Sequence, residues 1–513
     1  MTTSIIRSRS LITGVAHRFA CHGMDDGAVL QEDGVIVAVD RFDALQARHP
    51  TVAVVGTGTE VMLPGFVNAH HHVGLTPVQL GSPDMPLELW FITRMVIRNL
   101  DLYLDTLYSA FEMVGSGVTT VQHIQSLLPG TLPEVDAKCS EVIRAYEDIG
   151  MRLSYCYSVR DQNRLVYRAD DELVASLPAP LRDPMKRYFD RFRTSLDEVM
   201  GLFETLLARH AGKRRVRIQL APANLHWCSD RALAALADMG AKHAAPLHMH
   251  LVETAYQKEY ARRRSGGTAL EHIDRFGLVN ERLTIGHGVW LSESDLDRVA
   301  AAGACICHNC SSNFRLRSGV AALNAFEARG IRTAIGIDEA GINDDRDMLQ
   351  ELRMVLRTHR VPGMDETEVP TVPQVLRMAT TGGAATTPYG ATIGALEVGK
   401  AADLVLYDWN AVAYPYLDAE TPVIDALVQR AKPAAIRTVM CDGEIIYTDG
   451  RFTRVDRDAA LKALHDDLAK ALADDEVERR VLSKALLPHV RRFYADYIDP
   501  ARHEPFYRTS SRI

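Results

Sequence analysis

Pro64-Gly65-Phe66-Val67-Asn68-Ala69-His70-His71-His72 is an apolar run that turns abruptly into three histidines. Read as a strand, it sends successive side chains to opposite faces, so His70 and His72 share one face and His71 takes the other. Two imidazoles side by side make half of a zinc or iron site. A lone His-x-His is a weak signal, and its weight depends on its surroundings. The run itself covers 62–67, and seven more short apolar runs follow at 118–123, 153–158, 216–220, 246–251, 283–287, 304–308 and 333–338. Helical periodicity fills most of the intervals, as at 102–115, 229–240 and 292–302. Eight strands alternating with helices predict an α/β fold, a (β/α)8 TIM barrel, whose chemistry sits at the C-terminal strand ends.

Outside this region the pattern changes. Val35-Ile36-Val37-Ala38-Val39 and Val52-Ala53-Val54-Val55 are short alternating pieces, and Asp33-Gly34 precedes the first. Near the other end, 402–407 and 436–441 lead into Asp442-Gly443, then 444–448 and Asp449-Gly450. Asp-Gly between apolar runs is a tight hairpin signal. Two β-rich pieces at opposite ends of a chain can pair, because domain termini often lie close together. The expected layout is a small β-sandwich from 1–62 and 391–455, a barrel over 63–390, and a helical C-terminal extension over 456–513. The 160–215 connection is far longer than usual. Its charged helical pattern reads equally as a lid or as a structural insertion. The aromatic and basic stretch 491–513 reads as a tail that packs on the barrel or on a neighbouring subunit.

Bulk composition sets outer limits. The chain has 513 residues, 47% hydrophobic and 24% charged, with a net charge of −8. Such a balance fits an ordinary globular enzyme and speaks against a nucleic-acid or anionic-membrane partner, which would call for a basic patch. No stretch approaches the roughly 20 apolar residues of a membrane span, and 1–13 lacks the apolar core of a signal peptide. Eight cysteines in a chain of this length are no disulfide scaffold. A reducing, cytoplasmic location is expected.

The strand ends carry the chemistry. Leu247-His248-Met249-His250-Leu251-Val252-Glu253 ends the fifth run, where His250 is a candidate third imidazole and Glu253 a candidate acid/base in the loop above. His248 lies a layer deeper on the same side and reads as a hydrogen-bonded interior histidine. The sixth run ends at His287 and the eighth at Gly336-Ile337-Asp338, where a carboxylate would complete a first shell of three histidines and one aspartate. Coincidence of unrelated core residues at four strand ends is the rival explanation, and it requires several accidents at once.

Together Pro64–His72, His250-x-x-Glu253, His287, Cys307-His308-Asn309-Cys310-Ser311-Ser312-Asn313 and Gly336-Ile337-Asp338 resemble the amidohydrolase superfamily, in its chlorohydrolase and aminohydrolase branch. That branch includes triazine hydrolases and nucleobase-type deaminases. Thr381-Gly382-Gly383-Ala384-Ala385 and 393–406 are similar to its return into the β-sandwich, so the resemblance covers roughly residues 1–455. It implies that His70, His72, His250 and Asp338 bind one divalent metal, zinc or alternatively iron, and that Glu253 and His287 handle protons beside Asp338. It implies a homo-oligomer as well. Strand four, 216–220, lacks the lysine that bridges two metals in binuclear members, which favours a single ion. Glu339 stands where glycine is usual, and Ala221-Pro222-Ala223-Asn224-Leu225-His226-Trp227 departs from the simple nucleobase deaminases. Trp90, Asn224, His226, Trp227, His308, Asn313 and Glu339 are the candidate substrate contacts.

Two rival motifs are weaker. Cys307-x-x-Cys310 has redox spacing but follows a barrel strand, so packing is its expected role. A cytidine-deaminase zinc site needs a His-x-Glu with Pro-Cys-x-x-Cys, and neither is present. The proposed shell would lower the pKa of a bound water from about 15.7 toward 7 for attack on a carbon bonded to nitrogen. The leading expectation is therefore hydrolytic deamination of a nitrogen heterocycle, a small molecule. Hydrolysis of an amide, urea or carbamate on the same site follows closely, and a catalytically dead binding barrel is the third reading.

Overall fold

The computed structural model describes residues 3–499. Eight parallel strands alternate with helices: β1 (Phe66–His71), β2 (Val118–Gln125), β3 (Arg152–Val159), β4 (Val216–Ile218, continued by Ala221–Pro222), β5 (Leu247–Leu251), β6 (Leu283–His287), β7 (Cys305–His308) and β8 (Arg332–Ile335). Regular ladders join them as two sheets, β1 to β4 and β5 to β8, rather than one closed ring. Isolated parallel bridges span both seams, Leu220 to Leu247 and His71 to Asp338. The second seam falls at the His70-His71-His72 run.

Three boundaries differ from the sequence expectation. The run 62–67 is two elements. Glu60–Pro64 belongs to a separate sheet, antiparallel to Leu404–Asp408, and β1 starts at Phe66. Gly65 makes the crossing, because a Cβ there would lie 2.3 Å from Thr119. Every residue of both strands is buried, so hydropathy has no alternation with which to mark the break. Strand four breaks because Leu220 turns its backbone to the fifth strand: its N–H donates to Pro246 O at 3.0 Å and its carbonyl accepts from His248 at 2.9 Å. The eighth strand stops at Ile335, and Asp338 lies beyond it.

Strands from the two chain ends do pair. Ser10–His17, Ala20–Asp25 and Glu60–Pro64 share a seven-stranded sheet with Leu404–Asp408, Ile436–Cys441, Glu444–Thr448 and Arg451–Phe452. Thr3–Arg7, Gly27–Glu32, Val35–Arg41 and Ala53–Val55 form a four-stranded sheet, and Ile6, Val29, Met62, Leu404 and Met440 pack in one core between them. At Asp33-Gly34, Asp442-Gly443 and Asp449-Gly450 both residues have positive φ (46° and 84° at Asp33-Gly34), the backbone that type I′ hairpins require.

The long connection after β3 divides in two. Leu196–Arg209 is an ordinary barrel helix, with Leu202, Phe203 and Leu206 in the main core. Asp170–Ser176 and Ala179–Phe189 instead share an apolar cluster with Leu87–Thr93 and with the C-terminal helix Asp474–Tyr494. That helix is tied down by Arg479 donating to Met95 O at 3.0 Å and Ser483 donating to Ile92 O at 2.8 Å. The tail beyond 499 lies outside the described residues.

Buried histidines make the fold acid-sensitive. Burial drives His71 and His226 well below the usual imidazole value, and burial with neighbouring His72 pushes His123 down to about 3. Below about 6.5 the unfolded chain takes up protons that the folded chain refuses, so stability falls as pH drops from there toward the folded values. Each such histidine costs about 2 kcal/mol at pH 5. Urea midpoints at pH 7.5 and pH 5 are expected to fall clearly between the two, and equal midpoints would contradict this assignment.

Candidate metal centre and active site

Three imidazoles converge at the seam. The Nε2 atoms of His70, His72 and His250 lie 3.0, 3.0 and 3.1 Å apart. Their outer nitrogens decide what the inner ones can be. His72 Nδ1 donates to Ile124 O at 2.6 Å and His250 Nδ1 donates to Ala223 O at 2.9 Å, since a carbonyl can only accept. Both Nε2 atoms therefore present lone pairs, which repel one another at 3.0 Å unless a cation lies between them. His70 Nδ1 meets His248 Nε2 at 2.8 Å, so the deeper histidine orients the first ligand candidate. Burial and the neighbouring imidazoles hold His70 and His250 well below their usual pKa, the neutral state a metal needs.

Asp338 faces this nest. Its Oδ1 is 3.3 Å from His72 Nε2 and 3.6 Å from His70 Nε2, and its Oδ2 accepts from Ser312 Oγ at 2.6 Å. On the far side His287 Nε2 is 3.7 Å from both Asp338 Oδ2 and Glu253 Oε2. His287 Nδ1 donates to Asn313 Oδ1 at 2.9 Å, which leaves Nε2 as an acceptor aimed between the two carboxyl groups. Burial raises the Glu253 pKa, partly offset by His287 and reinforced by Asp338, so its carboxyl group sits above the usual carboxylate range. Ser318 Oγ donates to its other oxygen at 2.9 Å.

The backbone is shaped to this end. His287 (φ 68°), Asp338 (φ 64°) and Val252 (φ 43°) occupy the left-handed region, which is costly for a non-glycine residue and marks the strand ends as strained. His70 sits in a slot that a side chain would fill. A Cβ at position 336 would lie 2.4 Å from His70 Cβ, which is why the aspartate is preceded at two residues by glycine.

A cavity of about 80 Å³ opens over these groups, lined by Trp90, Phe91, Asn224, Trp227, Arg160 and Glu339 among others. Phe91 meets Trp227 edge-on at 4.9 Å, and the Arg160 guanidinium lies 4.0 Å over the Trp227 ring. Glu339 pairs with Arg94 at 3.3 Å. Thus Trp90, Asn224, Trp227 and Glu339 reach the cavity.

Three of the sequence candidates do not. His226 points away, its ring packed at a tilt against Tyr167 and Trp227 with centroids 4.2 and 4.3 Å apart. The short helical turn Leu225–Trp227 puts neighbours on different sides. His308 turns outward to His359, Nε2 to Nε2 at 2.8 Å. Asn313 is spent orienting His287. His71, which strand geometry sets aside, is nonetheless occupied: its Nδ1 donates to Asp338 O at 3.1 Å and so anchors the aspartate's backbone. Arg160, Phe91, Ser312 and Ser318 escaped the sequence reading. Arg160 follows β3 directly, so inspecting the residue beyond every strand end would have found it.

The cluster defines a metal-dependent hydrolase of C–N bonds other than peptide bonds. Residues 61–446 match the sequence profile of the amidohydrolase family, and the chain belongs to that family. A 5-methylthioadenosine/S-adenosylhomocysteine deaminase of Nitratidesulfovibrio vulgaris is 29% identical over 467 residues, covering 90% of this chain and 96% of its own. Among solved structures, a zinc-bound adenosine deaminase of Xanthomonas campestris superposes with a TM-score of 0.76 at 23% identity, covering 91% of this chain and 97% of its own. A triazine hydrolase from Arthrobacter aurescens gives 0.79 at 20% identity, covering 92% and 100%. Those superpositions bear on fold, and with the family they make it a TIM barrel of mixed α/β content.

Proposed function

We propose that the protein hydrolytically deaminates a flat nitrogen heterocycle, releasing ammonia. The observation that carries this reading is the trio Glu253, His287 and Asp338 beside the imidazole nest, with His287 Nε2 3.7 Å from a carboxyl oxygen of each of the other two. The deaminase relative supports it, and an amino-substituted purine or related ring is the substrate class it suggests.

His70, His72, His250 and Asp338 would hold one divalent cation. An all-nitrogen and carboxylate donor set suits zinc first and iron second. Bound there, the cation supplies the positive charge that acidifies water and polarises the carbon–nitrogen centre. Asp338 Oδ2 takes a proton from the attacking water, held in position by its bond from Ser312. His287, its Nδ1 hydrogen committed to Asn313, accepts from the same water and fixes its direction. Glu253 in its protonated form delivers a proton to the departing nitrogen. Trp90, Phe91 and Trp227 are the flat apolar walls, while Asn224 and Arg160 are the polar groups available to ring nitrogens and substituents.

The same reading, with the boundary moved to Gly65, takes 65–390 as the catalytic barrel, 1–64 with 391–455 as a β-sandwich, and the residues after 456 as accessory helices. Eight free cysteines fit a reducing cytoplasm, and a homo-oligomer is expected on the family resemblance. The test is a screen of zinc-loaded protein against aminopurines and their nucleosides, pyrimidines, pterins and triazines, with enzymatic detection of ammonia. Stoichiometric ammonia and the oxo-product are expected from at least one ring class. Amine release from an amide, urea or carbamate panel without ammonia from any heterocycle would overturn the reading.

A further inference from the structure

Behind the catalytic cluster lies a second set of donors that the reaction does not use. His308 ends β7, Cys310 opens the helix Cys310–Arg315, and His359 immediately follows the helix Met348–Thr358. All three are buried, at 1, 1 and 3% exposure. Their imidazole nitrogens and thiol lie within 4.8 Å of one another. The two Nε2 atoms are 2.8 Å apart, and the Cys310 thiol has a single weak contact, Thr358 Oγ1 at 3.5 Å.

The protein alone leaves this cluster half satisfied. Two neutral imidazoles share one hydrogen across the 2.8 Å contact, yet His308 Nδ1 is buried with no hydrogen-bond partner. Packing would be served better by apolar side chains. Two imidazoles and a sulfur are instead a soft donor set of the kind that selects zinc over magnesium or calcium. Bonds of about 2.0–2.3 Å to such an ion put tetrahedral donors roughly 3.3–3.8 Å apart. The three donors lie close enough together for small side-chain shifts to reach that range. His359 also borders an open groove with Asn324, Val361 and Glu368, which gives an ion a path in from solvent.

We infer that His308, Cys310 and His359 form a second, structural zinc site, distinct from the catalytic one. Binding releases the thiol proton to solvent. The ion staples the 308–313 segment to the end of the 348–358 helix. That segment carries Asn313, which holds His287, and Ser312, which holds Asp338. The site would therefore brace the catalytic geometry without touching substrate.

Metal analysis of the full chain, equilibrated with zinc and freed of loose ions, tests this directly. Two zinc ions per chain are expected, and one overturns the inference. Cobalt substitution reads the site separately, because the catalytic donors are nitrogen and oxygen only. A thiolate-to-cobalt charge-transfer band is expected in the cobalt-loaded wild-type protein. Its absence there overturns the site whether or not any variant folds. In Cys310→Ser the band should vanish while one cobalt per chain remains. A band that persists in that variant belongs to another cysteine and is equally fatal.

Discussion

Asp338→Ala is expected to lose metal and turnover together. Asp338 brings a carboxylate against the three imidazoles, 3.3 Å from His72 Nε2. Without it, three neutral nitrogens must hold a divalent cation in a buried site with no compensating charge. Disrupting an outer partner such as His248 typically costs about 10–100-fold in metal affinity, so removal of a ligand should exceed that. Proton transfer from water is worth roughly 10²–10⁴-fold in addition. We expect bound metal to fall from one equivalent to a small fraction at the catalytic site, and kcat/KM to fall by about 10⁴-fold or more. Metal analysis beside steady-state rates decides the matter. A variant that keeps both its metal and half its rate would remove Asp338 from the site.

Glu253→Gln separates proton delivery from metal binding. Glutamine preserves the shape and can still accept from Ser318, which lies 2.9 Å from Glu253 Oε1. It cannot donate an acidic proton at the leaving nitrogen. Metal content should therefore be unchanged, with kcat reduced about 10²–10⁴-fold and KM altered far less. Full activity in this variant would show that the leaving group finds its proton elsewhere. Loss of metal would show that Glu253 is tied to the ligand shell instead.

The contrast between the two variants follows from distances that no spacing rule supplies. His70-x-His72 and His250-x-x-Glu253 are legible because a strand has period two and a loop follows it. That rule tells which side chains share a face. It does not say which neighbour they meet across the barrel, and there the candidate contacts divide. Asn224 and Trp227 open onto the cavity, whereas His226 between them turns into the Tyr167 cluster. Asn313 and His308 come from one conspicuous motif, yet one holds His287 and the other turns to His359. The insert shows the same limit. Its charged pattern announced helices, but only packing distinguishes Leu196–Arg209, a barrel helix, from the pair that joins Asp474–Tyr494.

The sequence by itself determined the alternation of strand and helix, the hairpins at Asp-Gly, and the residue types at four strand ends. Those features depend on local periodicity and backbone preference, which a single stretch of chain carries within it. Tertiary structure alone decided that β1 begins after Gly65, that His71 anchors Asp338 across the seam, and that His72 and His250 present bare lone pairs to each other. Each of these is set by a carbonyl, a methyl group or a ring contributed from far along the chain. The triple histidine thus marked the candidate site, while the carbonyls of Ile124 and Ala223 set which nitrogens of His72 and His250 carry hydrogen.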